Sequence, residues 1–403
     1  MASVAAARAA AVRIGGFATP AATAAFAARC QTDLGAHASA YSILPPAGLT
    51  ISSIGVGTYQ GDIGPEHDKL VIEAIVEAVK NGVNVIDTAV NYRLQQGERC
   101  VGQALKQLFE AGVSREELFV STKAGFVPGD YELSTDKEEG QKMVAANLVE
   151  AGVPAEAICE GFKHTLHPAA LEYLFSKSLE NLGLETVDLF YLHNAENEMG
   201  MGVSPDELLA RIADAFVWCE QMYASGKIRA YGLATWDCFR VAPGDGPNLQ
   251  FAVLKDLAQA AALKVHGEGQ PSHFTFSQIP LNLGKTEAMS SPTQKSGEES
   301  MVPALAWCSS NGVSIFSSSS LGGGGELPEA VAEAIDKHTA LDGIDPGKCR
   351  HLEFARSNPG ICCALVGMKR PTNVAANAAL LKRPPLTNES FKALTNDLFP
   401  SAA

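Results

Sequence analysis

Long apolar runs, metal-binding cysteine pairs and basic clusters are all missing from this chain of 403 residues. No stretch reaches the roughly 18 uncharged apolar residues that a membrane-spanning helix needs, because even the alanine-rich beginning is interrupted by Arg8 and Arg13. The nine cysteines form no CxxC pair, and Cys362 and Cys363 lie together in an apolar run typical of a core strand. We therefore expect no membrane insertion, no disulfide scaffold and no metal site, and a reducing compartment fits best.

Positive charge is also scarce, since 45 acidic residues outnumber 31 basic ones and the formal net charge is −14. A nucleic-acid-binding surface needs clustered lysine and arginine, whereas those of this chain are scattered. The composition predicts that the protein has no nucleic-acid partner, while a small anion can still be bound locally. The oligomeric state does not follow from the sequence.

The first 40 residues differ from the rest of the chain. They are rich in alanine, contain Arg8, Arg13 and Arg29, and have no acidic residue before Asp33. This composition is typical of an organelle transit peptide, and a disordered leader without a targeting role is the alternative. We predict a leader over residues 1–40 and one domain over residues 41–403. The leader favours the chloroplast stroma or the mitochondrial matrix without separating them, and a cytoplasmic location is the alternative.

A unit of helix, glycine turn and apolar strand repeats along the rest of the chain. Eight such strands, each connected to the next through helical sequence, favour a closed α/β barrel of the (β/α)8 or TIM type over an open sheet. Three stretches, 126–168, 236–272 and 285–299, do not fit the repeat and are predicted to be rim loops, the last of them mobile. The predicted strands are residues 54–59, 83–87, 118–123, 187–193, 228–233, 274–278, 313–317 and 362–366.

Four residues suited to acid/base chemistry, Asp87, Tyr92, Lys123 and His193, follow or end strands two, three and four. Taken singly, these residue types are usually a helix cap, a packing group, a solvated cation and a satisfied core histidine. Because parallel strands end at one rim, we expect these four side chains to meet there.

Carbonyl reduction is the chemistry that uses this set. A phenol with a pKa of about 10 is a poor acid at neutral pH, and a buried ammonium lowers that pKa while a carboxylate holds the ammonium in place. These roles suit Tyr92, Lys123 and Asp87, and the imidazole of His193 is placed to hydrogen-bond the substrate oxygen.

Several motifs resemble, in order, those of the aldo-keto reductase superfamily. The resemblance extends from about Ile51 to Leu380 and implies a TIM barrel that binds NADPH, with Asp87, Tyr92, Lys123 and His193 as the catalytic tetrad and Tyr92 as the proton donor. The motifs are Asp87-Thr-Ala-Val-Asn-Tyr92, Gly97-Glu98, Val101-Gly102-Gln-Ala-Leu105, Ser121-Thr-Lys123, Asp188-Leu-Phe-Tyr-Leu-His193 and Ile228-Arg-Ala-Tyr-Gly232.

The same resemblance implies a cofactor site. A loop over residues 317–325, with four glycines at its end, is similar to the family loop that crosses the pyrophosphate, although such a stretch can also be a linker. Lys369 and Arg370 would pair with the 2′-phosphate and favour NADP over NAD, to an extent that the sequence does not determine; a solvated basic turn is the alternative. The predicted cofactor residues are Gly57, Thr58, Thr235, Gln278, Ser317, Leu321, Gly323, Gly367, Lys369, Arg370, Asn373 and Asn377.

The nicotinamide end departs from the family pattern. Thr235 and Trp236 stand where a Ser-Asn pair is common, and Phe316 is one position too early to stack on the nicotinamide ring. Tyr59, Asn194 and Trp236 are the predicted substrate residues of a reductase of aldehydes or ketones, whose physiological substrate the sequence does not identify.

Two other classes compete with this prediction. A regulatory or partner-binding subunit would keep the barrel and cofactor with little turnover, and an intact tetrad argues against it. A metal-dependent hydrolase would need an HxH or HExxH pair at a strand end, whereas His164 and His167 lie in an inserted segment.

Overall fold

The protein was analysed as a computed structural model, which describes residues 13–159, 163–297, 300–339, 341, 344 and 346–400. Its main feature is a closed barrel of eight parallel strands, as the sequence predicts. The strands in the described residues are β1 (Tyr41–Leu44), β2 (Leu49–Ser52), β3 (Ile54–Gly57), β4 (Val85–Asp87), β5 (Phe119–Ala124), β6 (Val187–His193), β7 (Ile228–Ala234), β8 (Phe274–Pro280), β9 (Pro292–Lys295), β10 (Met301–Pro303), β11 (Ser314–Ser318) and β12 (Cys363–Gly367). Eight of these strands form the barrel, and β1, β2, β9 and β10 form two antiparallel hairpins.

Helices cover the outside of the barrel between successive strands. An amphipathic pattern explains this position for most of them, since one face supplies the apolar residues that pack on the strands. Glu329–His338 and Asn388–Leu398 instead pack against each other in a separate apolar cluster. The α-helices are Pro20–Leu34, Pro65–Lys80, Gln96–Glu110, Lys137–Glu150, Pro168–Leu182, Asn197–Gly200, Pro205–Ala224, Phe251–His266, Glu287–Ser290, Ala304–Asn311, Glu329–His338, Pro346–Arg356, Pro371–Ala378 and Asn388–Leu398.

The barrel closes in the order β11, β12, β3, β4, β5, β6, β7 and β8. Phe119, Phe276 and Phe316 pack against one another inside it, with ring centroids 5.6 to 6.0 Å apart. The hairpin of β1 and β2 covers the end where the strands begin and adds its apolar side chains to the same interior cluster. The barrel is therefore a packed core rather than a pore, and its open face is the rim where the strands end.

Two of the three predicted rim loops need correction. In the 236–272 segment, Phe251–His266 is the ordinary barrel helix between β7 and β8 and packs beside helix Pro205–Ala224, so that only the stretch before it is additional. The 285–299 segment, predicted to be a mobile loop, contains the short helix Glu287–Ser290 and strand β9 of an antiparallel hairpin with β10; residues 298 and 299 lie outside the described part. The 126–168 segment is an insertion as predicted, with the additional helix Lys137–Glu150, and residues 160–162 lie outside the described part.

Part of the predicted leader packs against the barrel. Helix Pro20–Leu34 buries Phe26, Ala27 and Cys30, and the backbone N–H of Ala18 donates to the buried carboxylate of Asp188 at 2.7 Å. Residues 1–12 lie outside the described part of the chain, so the prediction of a transit peptide stays a prediction.

No helix within the described ranges has the length and apolarity to span a membrane.

Candidate active site

The structure brings the four predicted catalytic residues together at the open rim. Asp87 ends β4, Lys123 is the penultimate residue of β5, His193 ends β6, and Tyr92 lies in the turn after β4. The Lys123 ammonium is 2.5 Å from Asp87 Oδ2 and 4.9 Å from the centroid of the Tyr92 ring. Asp87, Tyr92 and His193 line a cleft of about 1240 Å³, whereas Lys123 is fully buried beneath it.

Three donors hold the Asp87 carboxylate in place. Besides Lys123, the Ser121 hydroxyl donates to Oδ1 at 2.7 Å and the Gln278 amide donates to the same oxygen at 3.0 Å. Lys123 also donates to the carbonyl of Thr88 at 2.8 Å. This network keeps the buried ion pair satisfied. Ser121 was missed as a site residue, although it stands two positions before Lys123 and therefore on the same face of β5.

Aromatic rings orient Tyr92 and His193 toward the same space. Their ring centroids are 5.7 Å apart, and Phe126 lies edge-on to His193 at 5.1 Å. Tyr59 lies edge-on to Tyr92 at 5.1 Å and is 69% exposed. A carbonyl group that enters the cleft between Tyr92 and His193 therefore meets both polar groups at once.

The turn that carries Tyr92 is conformationally unusual. The next three residues, Arg93, Leu94 and Gln95, all have left-handed backbone angles, with φ of 52°, 52° and 68°. Such angles are unfavourable outside glycine and need support from the surroundings. The Arg93 guanidinium supplies it by binding Asp68 at 2.5 Å and the Asp62 carbonyl at 2.6 Å. Sequence patterns gave no signal of this strain.

The proton affinities in the site follow from burial and from the ion pair. Burial raises the pKa of Tyr92, and Lys123 opposes that rise without cancelling it. Burial also disfavours the charge on Lys123, but Asp87 and Tyr92 together raise the pKa of the ammonium above its usual value. Lys123 therefore limits the rise of the tyrosine pKa and does not bring it below 10, which corrects the sequence-based expectation of a lowered value. At neutral pH the site contains a protonated phenol next to a cation.

His193 is neutral in this environment. Burial, with further contributions from Lys123 and His164, lowers the pKa of its imidazole well below the usual value. His164 Nε2 is 2.7 Å from the His193 carbonyl and its Nδ1 is 2.8 Å from Glu198, so both ring nitrogens are engaged and this histidine positions the end of β6. A neutral imidazole can donate one hydrogen bond to a substrate oxygen.

This lowered pKa predicts a pH-dependent loss of stability. Unfolding returns His193 to its ordinary pKa of about 6.5, so the unfolded chain binds an additional proton as the pH falls below that value, and stability falls with it. Chemical denaturation at pH 7.5 and pH 5.5 should show that the wild-type protein loses up to about 1.4 kcal/mol more over this interval than His193→Gln. Equal losses in the two proteins would show that His193 titrates normally when folded.

Most predicted cofactor residues line the same cleft. The lining includes Gly57 at the end of β3, Thr58 directly after it, Thr235 after β7 and Gln278 in β8. Three predicted residues do not line it: Ser317 is fully buried and its hydroxyl is 3.0 Å from that of Ser320, Asn377 is buried in a helix, and Arg370 is exposed outside the cleft. The remaining predicted residues that line the cleft are Leu321, Gly323, Gly367, Lys369 and Asn373.

The glycine loop after β11 fits a pyrophosphate. Gly322, Gly323 and Gly324 have φ of 56°, 97° and 65°, and no atom lies within 4 Å of the place where a side chain would begin at Gly323. Backbone N–H groups in such a loop can approach phosphate oxygens closely. Lys348 packs along Gly324 and lines the cleft beside the loop. It was missed because it lies in helix Pro346–Arg356, away from any recognised motif.

The three predicted substrate residues also line the cleft. Trp236 and Tyr59 are exposed aromatic rings at its edge, and Asn194 has a left-handed backbone angle of 50° directly after His193. Phe316, by contrast, is fully buried in the barrel interior and cannot reach a cofactor ring.

One group with metal-ligand chemistry lies outside the cleft. Glu220, His266 and His273 place ligand atoms within 4.8 Å of one another, the only such group among the described residues. The two imidazoles are 2.9 and 2.6 Å from the same Glu220 oxygen, and these hydrogen bonds account for the arrangement.

Comparison with solved structures defines the class of fold. An aldo/keto reductase from Klebsiella pneumoniae, in complex with NADP and acetate, superimposes with a TM-score of 0.56 at 19% identity over 88% of this chain and 94% of its own. A glycerol dehydrogenase from Gluconobacter oxydans gives a TM-score of 0.60 at 17% identity over 91% and 98% of the two chains. The barrel thus has the fold of these enzymes.

Sequence comparison adds a family match. Residues 53–243 match the model of the aldo/keto reductase family, which confirms the resemblance seen in the motifs of that stretch. The NADH-specific methylglyoxal reductase of Escherichia coli is 29% identical over 194 residues, and the glyoxal reductase of Bacillus subtilis is 26% identical over 217. These matches cover 47% and 54% of this chain and 50% and 52% of the two relatives, so the chain spans about half the length of each.

Proposed function

We propose that the protein is an NADPH-dependent reductase that converts an aldehyde or ketone to an alcohol. The observation that carries this proposal is the buried pair of Lys123 and Asp87 directly beneath Tyr92, at a cleft that Tyr92 shares with His193. At about 1240 Å³, the cleft exceeds the range of about 300 to 1,000 Å³ typical of a single small ligand. It therefore has room for a cofactor and a substrate together.

Each polar group has a separate task in the proposed reaction. NADPH, when bound, supplies the hydride. The neutral His193 donates a hydrogen bond to the carbonyl oxygen as negative charge develops there. Tyr92, protonated at neutral pH because burial raises its pKa, transfers its proton to that oxygen. Lys123 stabilises the phenolate that remains, and Asp87 keeps the ammonium charged and in position.

The direct test is NADPH consumption by the purified protein, followed by absorbance. Methylglyoxal and glyoxal are suitable first substrates because relatives of this chain are named for them, and 4-nitrobenzaldehyde is a suitable aromatic aldehyde. Turnover dependent on the aldehyde is the expected result. If the protein bound NADPH but reduced none of a broad panel of carbonyl compounds, the proposal would fail in favour of a regulatory subunit.

Preference for NADPH over NADH is proposed from the cations at the cofactor side of the cleft, although one relative is named as NADH-specific. Lys369 lines the cleft, whereas its neighbour Arg370 is exposed outside it. Lys369→Gln should weaken NADPH binding about fivefold, equivalent to the roughly 1 kcal/mol of an exposed charge pair, and leave NADH binding within twofold. Arg370→Gln is the matched control. Fluorescence titration of both nucleotides measures the effect, and a larger loss in the Arg370 variant would reverse the assignment.

We also propose an organelle location, chloroplast stroma or mitochondrial matrix, from the composition of residues 1–40. A fusion of these residues to a fluorescent protein should be imported, and a fusion that stays in the cytoplasm contradicts the proposal. Because Ala18 hydrogen-bonds Asp188 within the folded barrel, any cleavage that leaves this contact intact must fall before residue 18.

A further inference from the structure

The 126–168 insertion faces the cofactor side of the cleft from across the barrel. It follows β5, and in the closed strand order three strands separate β5 from β11 in either direction. The glycine loop follows β11, so the two segments rise from opposite points of the rim. A group bound against the insertion is therefore far from the place that suits the cofactor phosphates.

The insertion presents lysines to the cleft. Lys137 and Lys142 lie on helix Lys137–Glu150, are exposed, and line the cleft. Positions 137, 138, 141 and 142 share one helical face, and Gln141 of that face donates to the Val127 carbonyl at 3.0 Å. This hydrogen bond fixes the helix against the extension of β5, so the lysines belong to the wall of the site. Lys163 lines the same wall, and its carbonyl accepts from Val127 N–H at 2.6 Å.

The local charge is opposite to that of the whole protein. The chain has a net charge of −14, but among the described residues the only acidic ones that line the cleft are Asp87 and Glu138, and Lys123 neutralises Asp87. Within the described ranges, neither Lys137 nor Lys142 forms a salt bridge. Two ammonium groups that no described carboxylate pairs with, in an otherwise acidic protein, create a local attraction for an anion.

We propose that the substrate is an anionic carbonyl compound, whose carboxylate or phosphate group binds Lys137 and Lys142 while its carbonyl lies between Tyr92 and His193. This inference rests on the proposed function and adds the class of its substrate. The lysines act at a distance from the reacting carbon, so they contribute binding that is equal in the ground and transition states. They should therefore affect KM more than kcat.

Matched pairs of aldehydes test the proposal. One pair is 4-carboxybenzaldehyde and its neutral methyl ester, and the other is glyceraldehyde 3-phosphate and glyceraldehyde. The wild-type protein should prefer the anion in at least one pair, as measured by kcat/KM, and the pair in which it does so distinguishes a carboxylate from a phosphate. Equal or lower kcat/KM for the anion in both pairs would overturn the proposal while leaving the reductase function intact.

Variants locate the preference. The double variant Lys137→Gln with Lys142→Gln should lower kcat/KM for the preferred anion about tenfold through KM, at about 1 kcal/mol or less for each exposed charge, and leave its neutral partner within twofold. Lys264→Gln with Lys392→Gln is the control, because it removes the same total charge from exposed lysines outside the cleft. If both double variants lost kcat/KM for the anion equally, the preference would come from the total charge of the protein acting at long range. That result would overturn the proposed subsite.

Two further measurements separate the possible failures. NADPH binding should be unchanged in the double variant Lys137→Gln with Lys142→Gln. If this variant bound NADPH more weakly and lost kcat/KM equally for charged and neutral aldehydes, the lysines would bind the cofactor and not the substrate. If no aldehyde is reduced, the proposed function fails, and calorimetric binding of 4-(hydroxymethyl)benzoate against its methyl ester then tests the subsite alone. The subsite is supported if the wild-type protein binds the acid more tightly than the ester and the double lysine variant does not. Equal binding of acid and ester by the wild-type protein rejects it.

Discussion

Replacing Tyr92 with phenylalanine should lower kcat for aldehyde reduction by about 10² to 10⁴, the range that a positioned general acid contributes. The substitution removes only the hydroxyl, and the ring contacts with His193 and Tyr59 remain. NADPH affinity should stay within a few-fold, because the glycine loop and Lys369 are untouched. NADPH consumption with 4-nitrobenzaldehyde gives kcat, and fluorescence titration gives the Kd.

Tyr59→Phe is the matched control for this experiment. Tyr59 lines the same cleft, and its ring centroid lies 5.1 Å from that of Tyr92, but it is 69% exposed, whereas Lys123 and Asp87 are buried. Because Tyr59 is a predicted substrate residue, its substitution can change KM for the aldehyde, but kcat should fall far less than in Tyr92→Phe. Turnover retained in Tyr92→Phe, or lost equally in Tyr59→Phe, would remove Tyr92 from the role of proton donor.

Lys123→Met should be the most damaging change to both stability and rate. It leaves the buried Asp87 carboxylate without its cation, and breaking a buried pair in this way costs about 3 to 5 kcal/mol. The pKa of Lys123 is raised in the folded protein. The charged ammonium therefore contributes its full stabilisation of the fold at neutral pH, and this contribution is lost only as the pH rises above the ordinary lysine pKa. Urea denaturation at pH 7 should therefore show the full loss.

The double variant Lys123→Met with Asp87→Asn separates the two effects. Without either charge, most of the lost stability should return, because the neutral amide avoids the cost of an unpaired carboxylate. Activity should not return. Equal instability of the single and double variants would show that packing at position 123, rather than the ion pair, is responsible.

The pH profile reports the catalytic role of Lys123. Removing the cation destabilises the phenolate, so the pKa of Tyr92 rises further and the donor becomes a weaker acid at neutral pH. In Lys123→Met, or in the double variant if the single one does not fold, the rate at pH 7 should fall at least about tenfold, and the fall in rate at high pH should move to higher pH. An unchanged profile would contradict this role.

Much of the fold was predictable because its signals are local. Each barrel strand is a short apolar run that must be buried on both faces, and each barrel strand after β3 is preceded by a helix, so order and number follow from local patterns. The prediction went wrong at 236–272, where a loop containing glycine and proline precedes an ordinary helix. The packing of Phe251–His266 against the neighbouring helix identifies it, and a contact between distant segments leaves no mark in the local pattern.

For the active site, too, local features were predictable and contacts between distant segments were not. The sequence by itself determined the residue types and their order, because Asp87, Tyr92, Lys123 and His193 each stand where an apolar strand stops. Only the tertiary structure decided how they interact: Gln278 and Ser121 hold Asp87, burial raises the pKa of Tyr92 despite Lys123, and lysines from the insertion reach the same cleft. The reason is physical, since pKa values and charge clusters depend on distance and burial, which barrel closure sets between residues far apart in the chain.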